Sequence, residues 1–145
     1  MLYNNDFEKF TPNDYYLLAK ELFEKKNELD CNINALLRCI ASRTYYAAFL
    51  QIREYLKNQG YYFKSREHKE IHDILEKNCN ALGSEFFNND VKDKLWALKK
   101  NRVHCDYHFN PPNTHCKKSW CRKDLEILLS DTKWILDNVK VEYFK

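Results

Sequence analysis

Two glycines and three prolines in 145 residues leave the chain nearly without the residues that build tight turns. That scarcity argues against a sandwich or barrel of many short strands, and no stretch sustains the apolar–polar alternation of a strand. No internal repeat or low-complexity tract occurs. No apolar run reaches the roughly 18 residues of a membrane helix. The start, Met1 to Asp6, lacks a basic patch followed by an apolar segment, so the expected location is the cytoplasm, away from membranes. The six cysteines are then expected to be reduced thiols, and no Cys-x-x-Cys pair is present to hold a structural zinc.

What remains is a 44% hydrophobic chain whose apolar residues recur with helical spacing, enough for one domain over 1–145 with a core from about residue 11 to 140. Thr11-Pro12-Asn13-Asp14 is a helix start, with Thr11 as cap, Pro12 in the first turn and Asp14 placed to reach back; the pattern predicts a first helix to about Leu29. A long second helix follows from about Ala35 to Lys57, stopped by Gly60 and apolar on nearly every face, hence central. Tyr45 and Tyr46 read as core residues whose hydroxyls find buried partners. Ser65 can cap a short third helix ending near Cys79, where His68 and His72, four apart, read as a surface pair and not a metal site. A fourth helix is predicted from around Asn88–Asp90 until Pro111-Pro112 forces a stop, and a fifth from about Lys118 to Val139. The expected fold is all-α, an antiparallel bundle of four or five helices.

Charge is concentrated. From Lys99 to Lys123 seven Lys/Arg face one acid, Asp106, for a net +6, so the rest of the +3 chain carries −3. Lys99, Lys100, Lys117 and Lys118 therefore suit an anionic ligand such as RNA, against the plainer reading of a solvated basic helix end. Within this segment Arg102 and His108, separated by five residues, supply the two groups that phosphodiester cleavage without a metal requires: a fixed cation for the developing oxyanion and an imidazole that exchanges protons near neutral pH. On a straight helix Arg102 projects with Leu95, Leu98 and Asp106, while His108 projects with Asn101 and His104, about 120° away. Unwinding near His108, a swing of the Arg102 side chain, or a twofold-related second copy would each reconcile them; a homodimer is preferred, because an arginine on an apolar stripe is costly unless it faces a charged groove. An ordinary Arg102–Asp106 ion pair is the alternative. Arg43 has two readings, a pair with a buried acid or a second phosphate contact.

The run Ala41-Ser42-Arg43-Thr44-Tyr45-Tyr46-Ala47-Ala48-Phe49, followed some sixty residues later by Arg102-Val103-His104-Cys105-Asp106-Tyr107-His108, resembles the HEPN family. Its members often read A-[IV]-S-R-x-Y-Y-A-x-F early and R-x-x-A-D-Y late, and the resemblance covers about Tyr15 to Val139. It implies a helical bundle that homodimerises through its long helices, with Arg102 and His108 of both copies in one cleft, supported by Asp106 and Tyr107. Many such proteins look like metal-independent endoribonucleases acting as toxins or in antiphage defence, often beside a nucleotidyltransferase that serves as antidote. By that likeness Arg102 and His108 are the catalytic pair and no cofactor or metal is needed. Two departures stand out. Val103 occupies the place where nuclease members carry a polar residue, for which Asn101 can substitute, and Asn110 stands where some toxins have a tyrosine that the antidote modifies.

Two further classes compete. A family member without a working Arg–His pair would be a non-catalytic adaptor for a nucleotide or a nucleotidyltransferase. A zinc-binding module would draw on His104, His108, His115, Cys116 and Cys121, although the Cys116–Cys121 spacing is unusual for zinc.

Overall fold

A computed structural model describes residues 10–64, 67–78, 80–107 and 122–143, with side chains described at all of these except 104–107, 122 and 123. Five helices account for most of them: α1 (Pro12–Glu24), α2 (Ile33–Asn58), α3 (Glu67–Lys77), α4 (Glu85–Tyr107) and α5 (Arg122–Asn138). Among the described residues there is no strand, so the all-α expectation holds. None of the described helices is long and apolar enough to cross a membrane.

The 26-residue α2 is central because it is apolar almost all round. Ile40, Tyr45, Ile52 and Leu56 are fully buried, and Ala41, Ala47 and Ala48 between them let neighbouring helices come close. Helices α1, α4 and α5 all pack on it, while α3 packs on α4. Each neighbour contributes one stripe: Tyr16, Ala19 and Phe23 from α1, Ile71 and Leu75 from α3, Val91, Leu95 and Leu98 from α4, Leu125, Leu128 and Ile135 from α5. Burying one such leucine or isoleucine contributes about 1.5–3 kcal/mol before entropy is subtracted.

The helix ends follow from local chemistry. At α1 the Asp14 carboxylate accepts the Thr11 backbone N–H at 2.7 Å, the reach-back expected from the sequence. Asn32 caps α2 by accepting Ala35 N–H at 3.1 Å. At the other end Gly60, at φ +95°, lets the N–H of Tyr61 reach the Leu56 carbonyl and its own N–H reach that of Lys57, each at 3.0 Å. Arg53 then bridges Glu67 at 3.1 Å, fastening α2 to the first turn of α3.

Two boundaries differ from the sequence expectation. The first helix stops at Glu24, not near Leu29, and Leu29 is exposed. Beyond Phe23 no residue up to Leu29 is buried, so continuing the helix would order polar side chains without burying apolar surface. The fourth helix starts at Glu85, where Ser84 Oγ accepts Phe87 N–H at 3.3 Å. Asn88 is no helix start. It is fully buried, its amide donating to the Leu75 carbonyl at 2.7 Å and accepting Leu82 N–H at 3.2 Å, which joins the α3–α4 connection to the core. The predicted Ser65 cap, the Cys79 helix end and the Lys118 helix start lie outside the described residues.

Polar side chains also fasten α5 and the segment after it. Thr132, fully buried, donates to the carbonyls of Leu128 at 2.8 Å and Thr44 at 3.3 Å. Gln51, in the middle of α2, donates to the Val139 carbonyl and accepts the Tyr143 hydroxyl, both at 2.6 Å.

Candidate functional site

Where α2, α3 and α4 meet, a cation, two phenols and two imidazoles gather. Arg102 follows Leu95 and Leu98 along the buried face of α4 and reaches α2, its Nη2 donating to the Tyr46 hydroxyl at 3.0 Å. Its guanidinium carbon lies 5.3 Å from the Tyr46 ring centre and 5.9 Å from that of Tyr45, within cation–π range of both. The sequence placed this arginine on an apolar stripe and assigned the relief of its burial to a second copy. Here a hydroxyl and two ring faces of its own chain supply part of that relief.

Tyr45 is fully buried, and its hydroxyl lies 2.8 Å from His68 Nδ1. Burial pushes the Tyr45 phenol well above its usual range, only partly opposed by the charge of Arg102, so it stays protonated and donates. His68 then carries its ring proton on Nε2. Its imidazole stacks on Phe49 at 3.9 Å between centres and 9° between planes, and meets Tyr46 edge-on at 5.9 Å. Burial, followed by the positive charges of Arg102 and Lys99, lowers its pKa, so His68 is neutral at pH 7. One turn on, His72 is lowered further, to about 4, by burial and then by Lys99 and His68, with Asp73 opposing. Its Nε2 is buried without a hydrogen-bond partner among the described residues. An unsatisfied buried group of this kind costs about 1–3 kcal/mol.

This corrects the reading of His68 and His72 as a surface pair. Both are half-buried because residues 68, 71, 72 and 75 fall on one helical stripe, and Ile71 and Leu75 on that stripe are core residues. That spacing was the available signal, and the expectation of a solvated His–His pair passed over it. Tyr45 is the core residue expected, whereas Tyr46 is half-buried; the hydroxyls of both find partners, as expected.

The other sequence candidates divide. Asn101 donates to the Ala97 carbonyl of its own helix at 2.8 Å. Arg43 lies over the Tyr15 ring of α1 at 5.2 Å, a contact with α1 and not with the Arg102 cluster. Lys99 and Lys100 hold their amines 5.5 and 5.8 Å from the ring centre of Trp96. His104, Asp106 and Tyr107 continue the α4 backbone, but their side chains are not described; His108, Lys117 and Lys118 lie outside the described residues, as do His115, Cys116 and Cys121 of the zinc alternative. Among the described residues, no three His, Cys, Asp or Glu side chains gather to hold a metal, and Cys31 and Cys39 are free thiols.

Beside the cluster, α3 and α4 enclose a pocket of about 350 Å³ lined by His72, Glu76, Lys92, Asp93 and Trp96. Trp96 is 48% exposed, so part of its ring stays open to solvent. The arrangement thus offers a positioned guanidinium, two neutral imidazoles and a half-exposed tryptophan that carries two lysine amines over its ring. The chain matches no protein-family model, no curated protein and no solved structure.

Proposed function

We propose that the protein is a metal-independent endoribonuclease of toxin or antiphage-defence type, with the architecture of a HEPN domain and a composite site formed by two copies. The observation that supports this is the placing of Arg102. It is held against Tyr46 and Tyr45 on a helix that continues to Tyr107, and His108 is the next residue in the chain. A guanidinium held in place before substrate arrives needs only to exchange the Tyr46 oxygen for a phosphate oxygen, a small reorganisation.

In the proposed reaction, His108 of one copy takes the proton of a ribose 2′-hydroxyl, whose oxygen attacks the adjacent phosphorus. Arg102 neutralises the equatorial oxygens, the bond from phosphorus to the 5′-oxygen breaks, and the partner's His108, protonated, returns a proton to that oxygen. The products are a 2′,3′-cyclic phosphate and a 5′-hydroxyl end, with no metal or redox step. Lys99 and Lys100 of α4, with Lys117 and Lys118, supply the sequence-independent attraction to RNA. A nucleotidyltransferase-type antitoxin is the proposed companion.

A second reading, the non-catalytic adaptor, is favoured by one specific observation: Arg102 is already bonded within its chain, and its neighbour Val103 brings no polar group. Purified protein incubated with total RNA in EDTA separates the two. The nuclease produces cyclic-phosphate ends that vanish in Arg102→Ala and His108→Ala; RNA left intact by folded wild type refutes it in favour of the adaptor.

A further inference from the structure

Trp96 and the pocket beside it have no role in the cleavage chemistry. We infer that this pocket captures one unpaired guanine base, stacked on Trp96 and read at its hydrogen-bonding edge by Glu76 and Asp93. The inference deepens the ribonuclease reading, from which it takes the class of ligand.

Several features point the same way. A tryptophan face left half open to solvent, with the lysine amines of residues 99 and 100 close by, combines a stacking platform with cations for the flanking phosphates. Unstacked bases of single-stranded RNA are recognised by that combination, with hydrogen bonds to their edges providing selectivity. The pocket's edge-reading groups are mainly acceptors: two exposed carboxylates, Glu76 and Asp93, on facing helices. Guanine alone among the four bases presents an N–H and an exocyclic amino group side by side, matching the two oxygens of a carboxylate. Uracil offers a single N–H between two carbonyls that the carboxylates would repel. His72 lines the same pocket as a neutral ring, adding no charge there. A metal fits poorly, since Lys92 shares the pocket and no ligand trio gathers among the described residues. Along α4, Trp96 precedes Arg102 by six residues, about 9 Å of axial rise and about 120° around the axis, so a strand that meets both passes round the helix between them. Lys99 lies between them in sequence and acts electrostatically on both histidines.

The test uses labelled hexanucleotides whose riboses are 2′-O-methylated, so that binding is read without cleavage and stands or falls independently of the nuclease proposal. One carries a single guanosine among uridines, the other uridines only; free GMP and UMP are run as competitors. The guanosine strand is expected to bind wild type about tenfold more tightly than the uridine strand, and Trp96→Ala to lose about tenfold in affinity. Glu76→Gln with Asp93→Asn should bring the two strands together. Both sites are exposed, and unchanged thermal melting verifies the variants' folding. Competition by GMP as effective as the strand identifies a free nucleotide as the ligand, while competition by the strand alone identifies RNA; either supports the pocket. Equal affinity of wild type for both strands, or wild-type binding by Trp96→Ala, overturns it.

Discussion

The half-buried imidazole of His72 makes a definite prediction about acid stability. An unfolded histidine takes up its proton near pH 6.5, whereas burial and the charges of Lys99 and His68 hold His72 near 4. Between those values the unfolded chain binds a proton that the folded chain refuses, so stability is full above pH 6.5, falls as pH drops through the window, and reaches its minimum contribution below 4. Acidification from pH 7.5 to 5.0 spans about one and a half units of the window, at about 1.4 kcal/mol per unit, giving a ceiling of about 2 kcal/mol. Because the ring borders an open pocket, solvent screening reduces this to about 1 kcal/mol. Urea unfolding at intervals from pH 7.5 to 5.0 measures it, and stopping at 5.0 avoids most of the carboxylate titrations. His72→Gln should lose about 1 kcal/mol less than wild type over that range. Parallel curves for the two proteins would refute the placement of His72 as a shielded, neutral ring.

Two substitutions test the joints around the site. Asn88→Ala removes both the Leu75 and Leu82 hydrogen bonds from a fully buried position and should destabilise by about 2–4 kcal/mol, read as a lower urea midpoint at unchanged slope. Tyr46→Phe keeps the ring but deletes the oxygen that holds Arg102, so it should cost about 1 kcal/mol of stability and reduce RNA cleavage more than substrate binding.

The five helices were legible because their signals are short-range: Thr11-Pro12 opening α1, Gly60 closing α2, and apolar residues recurring with the period of a buried stripe. The true starts and stops near Leu29 and Asn88 were harder to read, since they depend on tertiary burial. Leu29 has the right spacing but nothing to pack on, and Asn88 has the chemistry of a cap but spends it on another segment. The cluster was half legible. Arg102 was singled out by its setting among apolar residues, yet its partner Tyr46 lies 56 positions earlier, a distance over which periodicity says nothing. His68 was read as half of a surface pair, since its contact with Tyr45, 23 positions earlier, leaves no periodic signal.

The bond between Arg102 and Tyr46 has a consequence for discrimination among ligands. To meet an incoming group, the Nη2 donor must leave a neutral phenol oxygen, and only an acceptor that binds it more strongly makes the exchange favourable. A phosphate oxygen does, since it pairs the guanidinium with a full negative charge where the phenol offers only a neutral oxygen. Uncharged solutes gain no such advantage over the phenol, so at this donor the tether favours anions.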